Sequence, residues 1–160
     1  MNKKLDTMLY EAEGRYLSDE ESARLQTWAG SLEDRLECMR AVERVETEVV
    51  NDVVNEVFRI HPEFESRFHQ ARERGVRDIG MVLRYCVMAM LRDDEEMLKE
   101  RMLYWFVTIA WANGLGPYMD TTYKALPRRL ERSLDRKHIE MLAPYLRTVH
   151  NVMTSASRAA

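Results

Sequence analysis

Cysteine is scarce: Cys38 and Cys86 are the only two among 160 residues. Neither has a cysteine close by in sequence, so a disulfide framework is implausible and there is no paired-cysteine metal motif. Both fall within helical patterns and read as small buried hydrophobes. Four prolines and six glycines leave few breaks in the chain. No segment approaches the roughly 20 consecutive apolar residues of a membrane helix. The stretch Met1 to Leu9 lacks the apolar region of a signal peptide, which makes cytoplasmic residence the default expectation. Charge of one sign is also missing. Twenty-four Lys and Arg face 27 Asp and Glu, for a net −3. That balance creates no global field drawing in nucleic acid or anionic lipid.

The motifs of familiar chemistry are absent too. His61, His69, His138 and His150 have no ligand spacing with each other or with a cysteine, and there is no His-Glu-x-x-His, glycine-rich phosphate loop or nucleophile elbow. No carboxylate is singled out by spacing as an acid or base. The chain is therefore read as a non-enzyme. Haem needs an axial ligand, commonly histidine. The stretch Glu95 to Ala112 has none, only Met97 and Met102, so a haem-binding sensor is a lesser alternative.

What remains is helical periodicity in a chain with 46% apolar and 32% charged residues, enough for one water-soluble domain over residues 1–160. Leu5, Met8, Leu9 and Ala12 mark a short amphipathic helix from about residue 3 to Gly14. Ser18 and Glu21 form a capping-box signature. From Leu25 to Phe58 the pattern is nearly continuous and stops at His61-Pro62. Its apolar face shifts near Val45, so two helices with a bend around residues 44–47 are predicted. Residues 62–74 read as polar, with Phe64 and Phe68 as anchors and Gly75 as a local break. Ile79, Val82, Leu83, Cys86, Val87 and Met90 give the cleanest buried face. Asp93 to Glu96 suit a helix start. The helix that follows places Met97, Leu98, Met102, Trp105 and Ile109 on one side. Asn113 to Pro117 is a turn. Met119, Thr122, Leu126 and Leu130, then Ile139, Leu142, Leu146, Val149 and Met153, outline the last helices, with Pro127 and Pro144 as candidate kinks. Seven to nine helices and no strand are predicted. The basic stretch Arg128, Arg129, Arg132, Arg136 and Lys137, interleaved with Glu131 and Asp135, reads as a solvated face and lacks the aromatic platform of a nucleic-acid site.

Several stretches, in their order and separation, resemble the phycobiliproteins, the bilin-carrying light-harvesting subunits of cyanobacteria and red algae. They are Gly14-Arg15-Tyr16-Leu17-Ser18 followed by the Leu32 to Leu36 pattern, Arg77-Asp78 with Leu83-Arg84-Tyr85 and Ala89 to Asp93, the turn ending at Pro117, and Tyr145-Leu146. The resemblance implies an all-α, globin-like fold with residues 1–18 as an N-terminal helical extension. It also implies assembly, as a homodimer or larger self-assembly or with a phycobiliprotein-like partner, through Leu5, Leu9, Glu11 and Arg84, with Glu11 pairing Arg84 between subunits. The family's linking cysteine would stand two positions before Arg77, where this chain has Gly75, so the usual thioether is impossible. Arg77 and Asp78 match two family chromophore contacts. The expected ligand is thus a noncovalent bilin, biliverdin or phycocyanobilin, handled by a carrier or storage protein. Tyr85, Tyr104, Trp105, Trp111 and Tyr118 are the candidate pocket wall. The alternative is a chromophore-free structural or regulatory subunit.

Overall fold

The computed structural model describes residues 2–155. Among these there is no strand. Nine α-helices run in order: α1 Lys3–Glu11, α2 Asp19–Gly30, α3 Leu32–Ile60, α4 Glu63–Arg67, α5 Ala71–Arg92, α6 Glu95–Leu98, α7 Tyr104–Ala112, α8 Gly116–Ser133 and α9 Arg136–Ser155, with a π-helical turn, Lys99–Leu103, joining α6 to α7. None of the described helices is long and apolar enough to cross a membrane.

Local chemistry explains most boundaries. Ser18 accepts from the Glu21 amide while the Glu21 carboxylate accepts from the Ser18 amide, the reciprocal capping box that starts α2. Asp94 caps α6 by accepting from the Met97 amide at 3.0 Å. Gly14 turns the chain out of α1 with φ +83°, a conformation glycine adopts without steric penalty. The α3 helix ends at Ile60, just before His61-Pro62.

The bend predicted at residues 44–47 is not a break: α3 is unbroken from Leu32 to Ile60, and the chain interrupts instead at Gly30-Ser31. Glycine is a poor helix former, and the Ser31 amide bonds back to Thr27 and Trp28, closing α2 before α3 begins. Gly75 does not break α5. Pro127 and Pro144 lie inside α8 and α9, each of which is a single helix.

The core is one continuous cluster formed chiefly by α3, α5, α8 and α9. Val53, Val82, Leu83, Leu126, Leu130, Leu142 and Val149 are all fully or almost fully buried in it. Ion pairs fasten the same helices at the surface. Glu56 of α3 takes Arg128 at 2.7 Å and Arg129 at 2.8 Å from α8. Glu46 of α3 takes Arg84 of α5. The first helix lies against the body: Leu5 and Met8 are buried, and the Lys3 amide donates to Asp94 at 3.3 Å.

The π turn changes the helix that follows it. One extra residue per turn advances the register, so the buried positions after Met102 and Leu103 are Phe106 and Ala110. Trp105 and Ile109, expected on the inner side with Met102, are 43% and 50% exposed.

Candidate functional site

The inner face of α3 carries Val54, Val57 and Phe58, and these form the floor of a cleft of about 240 Å³. Phe106, Ile109 and Ala110 of α7 close one side. Tyr118, Met119, Thr122 and Tyr123 of α8 close another. Phe64 in the short α4 and Phe68 just after it shut the end. The first turns of α5 supply the polar wall: Arg74, Gly75, Arg77 and Asp78. The lining is mostly apolar with a few charged groups to one side, the usual make-up of a small-molecule site. Its volume falls below the roughly 300–1,000 Å³ of pockets that enclose drug-sized ligands.

The closed end is an aromatic stack. The Phe64 ring lies 4.3 Å from Tyr118, 5.3 Å from Phe58 and 4.9 Å from Phe68, centroid to centroid. His61 meets Tyr118 edge-on at 5.0 Å, and its Nε2 is 2.9 Å from the Thr121 hydroxyl. The segment rests between the αα corner at His61-Pro62 and Gln70, whose φ of +53° is a left-handed conformation in a non-glycine residue. No histidine lines the cleft, and no group of three or more potential metal ligands occurs among the described residues.

Arg77 is mostly exposed and pairs with its neighbour: Nε and Nη2 both stand 2.8 Å from Asp78 Oδ1. Asp78 is more enclosed, with a side chain 24% exposed. No described residue donates to its Oδ2. Neither cysteine is part of this wall. Burial pushes the Cys38 thiol up to about 11 and the Cys86 thiol up to about 12. Both are therefore thiols rather than thiolates at neutral pH and poor nucleophiles. Gly75, by contrast, lines the cleft, and a Cβ there would touch Val54 at an ordinary 3.5 Å.

Of the site residues expected from sequence, Arg77, Asp78 and Tyr118 line the cleft together. Tyr85, Tyr104, Trp105 and Trp111 do not. Tyr85 is half-buried against the core. Tyr104 and Trp105 face outward after the π turn: Tyr104 is 54% exposed and the Trp105 indole donates to Arg101 O at 2.9 Å. Trp111 bonds to Met153 O at 3.1 Å and packs on Gly116, where any Cβ would come within 2.5 Å of its ring. The sequence reading missed Phe58, Phe106 and Tyr123 in the walls. It noted Phe64 and Phe68 without connecting them to a site.

Of the expected interface residues, Leu5 is buried within the chain and Leu9 is half-buried, whereas Glu11 is exposed. Arg84 is occupied by Glu46 of its own chain, although its side chain is 71% exposed. Four residues of the basic stretch make internal pairs: Arg128 and Arg129 with Glu56, Lys137 with Asp34 at 2.6 Å, and Arg136 with Glu140 at 2.7 Å.

A family model described as phycobilisome protein matches residues 8–153. No curated protein matches the chain. Proteins of that family generally carry bilins, assemble into oligomers and harvest light rather than catalyse reactions. The match spans nearly all of the helical body described above, including both sides of the cleft. The chain belongs to the phycobilisome protein family and has its all-α, globin-like fold.

Proposed function

We propose that the cleft binds a linear tetrapyrrole without a covalent bond and that the protein is a carrier or store for it. The observation that carries this reading is the α5 wall. Arg77 and Asp78 stand beside an apolar cavity, with glycine at position 75 and both thiols buried elsewhere. A bilin supplies the complementary groups: propionates, which accept paired hydrogen bonds from guanidinium, and pyrrole N–H groups, which donate to a carboxylate. Arg77 and Arg74 would hold a propionate, and Asp78 would accept from the ring nitrogens. The bound pigment would supply light absorption; the chain's own part is to orient it and keep water from its buried end.

The test is production in cells that make biliverdin or phycocyanobilin, followed by purification and absorbance spectroscopy. Coloured protein that loses its pigment on denaturation is the expected result. Arg77→Ala should weaken affinity about threefold to tenfold, the loss of one partly solvated charged hydrogen bond. Asp78→Ala should shift the visible band. A pigment bound equally well, with the same spectrum, in both variants would remove these two residues from the site.

The narrowness of the cleft and its aromatic closure favour a second reading, a chromophore-free structural or regulatory subunit of a phycobiliprotein-like assembly. Colourless protein from both pigment-producing hosts would support it. A sharp Soret band would instead point to haem, a reading weakened by the absence of histidine from the cleft wall.

A further inference from the structure

Tyr123 carries a hydroxyl with no partner among the described residues. It lies in the cleft wall and is 3% exposed, yet its hydroxyl makes no hydrogen bond to any described residue. Among the described residues the enclosed side-chain polar atom without a partner is Arg92 Nε, so the Tyr123 oxygen keeps accessible surface, and it does so in the lining of the cleft, where a ligand can reach it. Burial, followed by the nearby Cys86 and Asp78, pushes its pKa up, so the phenol keeps its proton and is available as a donor. Asp78 holds the complementary vacancy. Its Oδ1 takes Arg77, and its Oδ2 receives no donor from the described residues. The α8 wall therefore offers a free donor, and the α5 wall a free acceptor, to the same small cavity.

That pair matches a particular chemical group. A cyclic secondary amide, the lactam of a pyrrolinone ring, carries an N–H beside a C=O on one edge. Its N–H would donate to Asp78 Oδ2, and its C=O would accept from the Tyr123 hydroxyl. Linear tetrapyrroles end in such rings. The cleft's 240 Å³ is too small for four rings and is of the size for an end of the molecule. Resting on the pigment-binding reading above, we infer that the ligand enters end-on: one terminal lactam ring is buried between Tyr123 and Asp78, and the remaining rings lie outside the cleft. Ile109, at the cleft's edge and half exposed, continues onto the outward Trp105 one turn away and offers those rings an apolar surface.

Tyr123→Phe keeps the ring and removes only the hydroxyl. Biliverdin is titrated into the intact wild-type chain and into this variant by absorbance, with a dipyrrinone, a two-ring compound carrying one lactam, as competitor. The variant should bind biliverdin about fivefold to tenfold more weakly, the scale of one lost hydrogen bond, with a shifted visible band. Its ligand-free melting temperature should be unchanged or higher, since the deleted hydroxyl had no partner. The dipyrrinone should displace biliverdin from the wild type. Equal affinity and spectrum in the variant, or a dipyrrinone that fails to compete, overturns end-on insertion while leaving noncovalent pigment binding intact. A variant that melts markedly lower assigns the hydroxyl a structural role and also overturns it. Wild-type protein that binds no biliverdin removes both readings.

Discussion

Glu56 shows how one side chain holds two helices together. It is nearly buried on α3 and accepts from Arg128 and Arg129, consecutive residues of α8, while Asp52 one turn earlier takes Arg129 Nη1 at 3.3 Å. The Arg129 hydrogen bond is the main reason that its carboxyl is held below the usual carboxylate range. Arg15 does the same for Glu21, assisted by the Ser18 amide, and holds it at about 2. Carboxylates with lowered folded-state pKa values add stability above their unfolded value of about 4.5, and that stability disappears as pH falls through the folded value. Thermal stability should accordingly decline between about pH 4.5 and pH 2. Glu56→Gln should cost about 1–3 kcal/mol at pH 7, because two guanidinium groups lose a charged acceptor, and should flatten the acid decline. Melting curves from pH 7 to pH 3 read both effects; wild-type and variant curves that stay parallel would contradict the assignment.

At the scale of elements, the two N-terminal helices are fastened unequally. Leu5 and Met8 of α1 and Ala12 just after it are buried, and Asn2 donates to Asp93 at 3.3 Å. In α2 no residue is fully buried, and Trp28 reaches the body through a single 3.4 Å hydrogen bond to Arg92 O. Around them Tyr10 and Tyr16 are 73% and 98% exposed. Large aromatic surface beside a loosely packed helix is the kind of surface oligomers cover. In a family that self-assembles, this supports α1 and α2 as the contact region. The double substitution Leu9→Asp, Glu11→Lys should lower the mass measured in solution to that of one protomer. An unchanged oligomer mass would move the contact elsewhere. Arg84 enters this contact only by sharing or leaving Glu46, so an intersubunit Glu11–Arg84 pair would compete with a bond already made.

Across the whole molecule, the readable parts were those with a local chemical cause. Ser18 with Glu21, Asp94 ahead of its helix and the stop before His61-Pro62 each fix a boundary through neighbouring atoms. The π turn does not; after it Phe106 and Ala110 are buried, Trp105 faces outward, and Ile109 is left half exposed at the edge of the cleft. That slip in register accounts for Trp105, expected on the inner side with Met102 and found facing outward; Tyr104, expected in the pocket wall from another side of the helix, is exposed as well. The cleft was legible where the family resemblance marks it, at Arg77 and Asp78. Phe64 and Phe68 sit in a polar stretch too short to show a period. Tyr123 did leave a signal, since Met119, Tyr123, Leu126 and Leu130 follow one helical face, but Thr122 was read in its place.

The same cleft geometry gives the most direct trial of pigment binding without a tether. Gly75 faces the cleft with room for a side chain, so Gly75→Cys places sulfur where none now exists without crowding Val54. Wild type and Gly75→Cys, each purified from phycocyanobilin-producing cells, are weighed by mass spectrometry under native and then denaturing conditions. The wild type should carry one pigment mass natively and none after denaturation, while Gly75→Cys should retain it through both. Wild-type protein that carries no pigment natively, or holds it after denaturation, would contradict the account.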